Sequence, residues 1–169
     1  INVSAEYIDR ISKGDLPPKI TEEYKGDFNE IKNNLNAHID VVHMRNEDIK
    51  MLIDAALQGK LDVRADHTRY PGENGRMIKG INDMLDAYIG PINVSAEYID
   101  RISKGDLPPL ITEEYRGDFN EIKNNLNNLI NTLTHFINSM NTMSQNQNAG
   151  DIDAYMNEDE FVGIYKEMA

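Results

Sequence analysis

A chain of 169 residues with 40% hydrophobic content and a mean hydropathy of -0.58 is long enough for one compact domain or several small modules. Its net charge of -12 repels phosphate backbones and anionic lipid heads, which argues against nucleic acid and membrane surfaces as partners. Zero Cys excludes disulfides and thiolate chemistry and fits a reducing, cytoplasmic setting, while no apolar run approaches the roughly 20 residues of a membrane span.

Along the chain, Ile1, Ala5, Ile8 and Ile11 make an apolar helical stripe that stops at Gly14, and Pro17-Pro18 forbids its continuation. A connector follows through Leu16 and Ile20 to Gly26. Helical spacing resumes at Phe28, and Phe28, Leu35, Val42, Ile49 and Ala56 fall seven apart, so one helix is expected to run on to Gly59. A second connector carries Leu61 and Val63 and ends at Gly72 or Gly75. The next helix has Ile78, Leu85, Ile92 and Ile99 on one seam and Ile81, Tyr88 and Ile102 on another. It crosses Gly90-Pro91, where Pro91 cannot donate to the carbonyl of Ala87, so a bend or loosening is expected there. The third connector runs from Gly105 through Leu107 and Ile111 to Gly117. A last long helix carries Phe119, Leu126, Leu133 and Met140, flanked by Ile122, Leu129, Phe136 and Met143, and ends at Gly150 ahead of Ile152. Opening at Ile1 in mid-pattern and ending at Ala169 in helical pattern, the chain reads as part of something longer.

A repeat organises these elements. Residues 1–36 recur as 92–127 with only two differences, Lys19 against Leu110 and Lys25 against Arg116. Gly14, Gly59, Gly105 and Gly150 lie 45, 46 and 45 apart, which divides the chain into alternating A and B units at 1–45, 46–90, 91–137 and 138–169. Asn36 to Gly59, Asn82 to Gly105 and Asn127 to Gly150 all span 23 residues. Independent linkers have no reason to keep one length, whereas a helix that sets a fixed rotation does.

Connector length decides how two successive helices lie. Antiparallel hairpins use about 2 to 8 linking residues, and Gly14 to Gly26 is longer. A first helix of about 14 residues is roughly 21 Å long, and about 12 extended residues reach on the order of 40 Å. The connector can therefore run back along the helix, which makes the pair parallel and buries Leu16, Leu61, Leu107 and Ile152 against it. Two parallel helices half-satisfy their seams, so a second copy of the chain is the expected partner, in a parallel four-helix dimer.

The motifs Gly14-Asp15-Leu16, Glu23-Tyr24-Lys25-Gly26 and Asn36 in the first unit resemble the HAMP family, the linker modules of chemoreceptors and sensor kinases. Pro91-Ile92, Gly105-Asp106-Leu107, Glu114-Tyr115-Arg116-Gly117 and Asn127 repeat them in the third unit. The second offers Gly59-Lys60-Leu61 and Asn82 but has Pro71, not an acid, before Gly72. The resemblance implies an all-α fold of stacked parallel four-helix bundles in a homodimer, with continuous helices between units. It further implies a relay between an input domain and a kinase-controlling output in the same chain, with no catalytic, metal or cofactor site. Its packing residues are expected to be Gly14, Leu16, Ile20, Gly26, Phe28, Leu35, Gly59, Leu61, Val63, Ile81, Pro91, Gly105, Leu107, Ile111, Gly117, Phe119, Leu126, Gly150 and Ile152.

Two other functions compete, a passive helical spacer and a phosphotransfer or ligand-binding domain. His38-Ile39-Asp40 has the look of a phosphoacceptor, but Leu129 and Thr134 replace His38 and His43 in the repeat. Asp151-Ile152-Asp153 lacks the Gly of a calcium loop, with Met156 in its place. The sequons at Asn2 and Asn93 fall inside expected helices. His38, Arg45, Asn46 and Gly90-Pro91 interrupt or flank the seams, which suits a switch better than a spacer.

Overall fold

A computed structural model describes residues 2–169, so the expected apolar contribution of Ile1 lies outside it. The described residues are helical, with no strand: α1 (Asn2–Ser12), α2 (Asp27–Leu57), α3 (Gly72–Ser103), α4 (Asp118–Asn148) and α5 (Ile164–Met168). Short 3-10 turns at His67–Arg69 and Glu158–Glu160 precede α3 and α5. The chain divides into two compact units, Ile1–Ile89 and Gly90–Ala169, and α3 crosses from one to the other.

Each helix that runs into a connector ends the same way. Gly14 has φ of 82°, its N–H donates to Ile11 O at 3.0 Å, and Asp15 N–H donates to Arg10 O at 3.0 Å. This crossed pair satisfies carbonyls that the last turn would leave unpaired, and a residue without Cβ takes the left-handed conformation without strain. Gly59, Gly105 and Gly150 close α2, α3 and α4 with the same two bonds. The expected stops therefore fall where the glycines are.

Within the first compact unit the helices run parallel. The end of α1 lies beside the middle of α2, where Ile11, Gly14 and Leu16 line one groove with His38, Val42 and Arg45. An antiparallel pair would put Gly14 beside the start of α2. Further along, Arg45 donates to Asn74, and Leu52 packs in one cluster with Ile78 and Ala65. Ala56 then shares a small cavity with Leu85 and Ile89. The contacts climb α2 and α3 together, as the connector-length argument requires. The core here is Leu52, Ala65, Tyr70 and Ile78, with Val41, Met44, Ile49, Val63, Ile81 and Leu85 packed around it.

In the second compact unit the third connector lies on α4, where Leu126, Ile130 and Phe136 are buried. Phe136, Met156 and Phe161 form a second cluster, with Met143 and Tyr165 against it. α3 continues through Gly90-Pro91 without a break, and Ser95 Oγ donates to the Pro91 carbonyl at 2.8 Å. The proline deletes one backbone bond and leaves the helix intact.

Candidate functional site

Among the described residues, the features that recur in every unit are the connectors and what anchors them. Each connector buries the side chain six residues after its Gly: Ile20, Ala65, Ile111 and Met156. Three of these are held through their backbone by a side-chain amide. Ile20 N–H donates to Asn36 Oδ1 at 2.8 Å and Asn36 Nδ2 donates to Ile20 O at 2.9 Å. Ala65 and Asn82 repeat the pair at 3.2 and 2.8 Å, and Ile111 and Asn127 at 2.8 and 3.0 Å. An extended segment against a helix has no strand to pair with, so its buried N–H and C=O need another partner. A primary amide carries one donor and one acceptor side by side and fits both.

Within the single chain the expected pegs lie less deep than this sixth residue. Leu16 and Leu107 are only half-buried, Leu61 is 37% exposed and Ile152 is 82% exposed. The residue two after the Gly lies just past the helix end, at the rim of the pair, whereas the sixth is carried back over the helices. Between them Pro17 and Pro108 are fully buried, so the prolines that stop the helix also pack. In the second connector Val63 is half-buried at the edge of the cluster, and Ala65 takes the central place. Sequence reading passed over Ala65 because alanine carries little hydrophobic signal. Its constant distance from Gly59 could have found it.

The remaining expected residues divide by burial. Leu126 is buried, and Leu35, Ile81, Pro91 and Phe119 are half-buried. Phe28 is half exposed in the first turn of α2, two residues after the capping Gly26, and Gly117 caps α4 in the same way. Gly72, not Gly75, opens α3. Gly75 is buried one turn in, where an added Cβ would meet the Tyr70 carbonyl oxygen at 2.7 Å.

Charged pairs pin the rims. Arg10 reaches Asp15 at 2.6 Å and Arg101 reaches Asp106 at 2.6 Å, tying the last helical turn to the connector. The hydrogen bond to Asp15 holds the Arg10 guanidinium above its ordinary value, and the bond from Arg101 holds the Asp106 carboxyl below its own. Lys19 pairs with Asp40 at 2.6 Å. At the equivalent places in the repeat stand Leu110 and Asn131, so a difference inside the repeat goes with one just outside it. Of the histidines, His38, His43 and His135 are exposed and His67 is half-buried. Among the described residues no three His, Cys, Asp or Glu side chains converge into a group that could hold a metal.

The profile of the HAMP domain matches residues 1–44 and 69–135, more than half of the chain. The chain belongs to the HAMP domain family. HAMP domains are signalling linkers that sit between flanking domains in receptors, usually on the cytoplasmic side of membrane-anchored ones. No helix among the described residues is long and apolar enough to cross a membrane. No solved structure matches the chain.

Proposed function

We propose that the chain is a signal relay, a parallel homodimer that passes a change of helix packing from an input domain to a kinase-controlling output in a chemoreceptor-type transducer. The division into four units, at 1–45, 46–90, 91–137 and 138–169, is part of this reading. So are its cytoplasmic location and the relay role of the packing residues.

The observation that carries the proposal is the uncovered apolar surface on helices that already run parallel. Met77, Met84, Ile92 and Ile99 are all about half exposed along α3. Phe28, Ile31, Ile122, Leu129 and Met140 add exposed apolar positions on α2 and α4. Soluble monomers rarely leave such continuous stripes open. A second copy brings the same stripe in the same direction, which suits a two-fold axis along the helices.

The relay is tested at Gly90-Pro91 in the full-length parent. One inserted residue turns everything downstream by about 100°, whereas seven restore the seam. The single insertion is expected to lock or abolish output and the seven-residue insertion largely to preserve it. Equal output from both would favour the passive spacer.

A further inference from the structure

Two places in the chain share a backbone and differ in chemistry. In the first, the second connector and the start of α3 pack on the middle of α2. The Tyr70 hydroxyl donates to Asp48 Oδ2 at 2.5 Å, and Arg69 reaches the same carboxylate at 3.4 Å. Arg45 Nη1 donates to Asn74 Oδ1 at 3.0 Å, and Arg69 also lies against Met44 Sδ at 4.0 Å. The second place, where the fourth connector and the start of α5 pack on α4, lies 91 residues on. Both have a 3-10 turn, at His67–Arg69 and Glu158–Glu160. Each turn is capped by a side chain, Asp66 accepting from Thr68 N–H and Asn157 from Asp159 N–H.

Each residue that makes these contacts is replaced at its counterpart in the second place. Arg45 and Asn74 become Phe136 and Tyr165, whose rings are 5.6 Å apart. Asp48 and Tyr70 become Ser139 and Phe161, so the carboxylate and the hydroxyl it bonds are lost together. Phe161 packs edge-on against Phe136 at 5.5 Å. Met44 and Arg69 become His135 and Glu160, 3.2 Å apart, with His135 stacked on Phe161 at 4.9 Å. Mixed pairs would fail. Phe161 opposite Asp48 would leave a carboxylate that is 14% exposed without its closest donor, and Phe136 beside Asn74 would strand the amide.

We propose that these three pairs are matched keys that make the first junction an ion-sensitive latch on α2 and the second a largely aromatic clamp on α4. Screening weakens the Arg69–Asp48 pair, because Arg69 is half exposed. Arg45 adds to the weakness, since its Nε is buried with no hydrogen-bond partner. Salt does not loosen the ring contacts that hold the second junction to α4, and the Lys166–Asp159 pair at 2.7 Å joins α5 only to its own turn. Two copies of one architecture in a single chain thus respond differently to the same change of conditions, and the first opens first. The inference concerns contacts within one chain and does not depend on the dimer.

Hydrogen exchange of the whole chain tests it, at about pH 8 where imidazole is ordinarily neutral, between about 0.1 and about 1 M sodium chloride. Amides of residues 68–78 should exchange several-fold faster at high salt, and those of 159–169 should change far less. Exchanging the keys by Arg45→Phe, Asp48→Ser, Tyr70→Phe and Asn74→Tyr together should abolish the salt response of 68–78 while keeping that segment protected. Asp48→Ser alone should expose the segment at both salt levels, and adding Tyr70→Phe should restore its protection. The proposal is overturned if the exchanged chain keeps the wild-type salt response. It is equally overturned if Tyr70→Phe gives no recovery in the Asp48→Ser background, a comparison that stands should the fourfold variant fail to fold.

Discussion

Asn127 shows how much one side chain can fix. Its amide closes both backbone groups of Ile111, which are buried with it, so Asn127→Ala removes two hydrogen bonds and leaves a donor and an acceptor without partners. We expect a loss of about 1–3 kcal/mol, read as a lower urea midpoint with an unchanged slope. A neutral result would mean that water reaches the Ile111 backbone. Tyr70 makes a second prediction. Burial first, and then the hydrogen bond to Asp48, push its hydroxyl up to about 12. A group whose folded value is raised stabilises fully below its unfolded value and loses that contribution as pH climbs through the folded one. The first compact unit should therefore weaken between about pH 10 and 12. Tyr70→Phe should flatten that part of the pH profile, and an unchanged slope would show that other groups govern it. These residues were partly legible in the sequence. Asn36, Asn82 and Asn127 stood out by position, but their bonding role depends on a connector lying alongside the helix, which only the folded chain displays.

At the scale of the element, the connector has a buried anchor and a half-open rim. Ile111 is 4% exposed and Leu107 is half-buried, so Ile111→Ala should cost about 2–5 kcal/mol, with Leu107→Ala well below it in a dilute, monomeric sample. Denaturant melts of the two variants compare them directly, and equal losses would restore Leu107 as the principal peg. Helix extents were well read from sequence because glycine and proline punctuate them. Phe28 was placed one residue from the start of α2, and each stop fell at its Gly. The deeper anchor went unread because period-seven counting describes helices and says nothing of an extended segment, whose burial depends on where it crosses the pair. Ala65 and Met156 fill the place of Ile20 and Ile111 with different volumes, so no single hydrophobic signal marks the position.

For the whole molecule, the repeat at an offset of 91 made the helical order readable, and the parallel packing of the first compact unit followed from connector length. The differing chemistry of the two junctions was not readable, because Arg45 and Phe136 are each ordinary until Asn74 and Tyr165 are seen beside them. Exposed seams on parallel helices remain the feature that a second copy would satisfy. With no native Cys, Met84→Cys and Ile92→Cys can each be introduced on the α3 stripe and oxidised, and disulfides form only where Cα atoms come within about 7 Å. The direct measurement is the solution mass together with the crosslinking pattern at tens of micromolar chain. The account predicts twice the chain mass of 19.2 kDa and efficient disulfides between like positions, with Met84→Cys chains joined to each other and Ile92→Cys chains joined to each other. A monomeric mass, or no crosslink between like positions of Met84→Cys or Ile92→Cys chains, would contradict it.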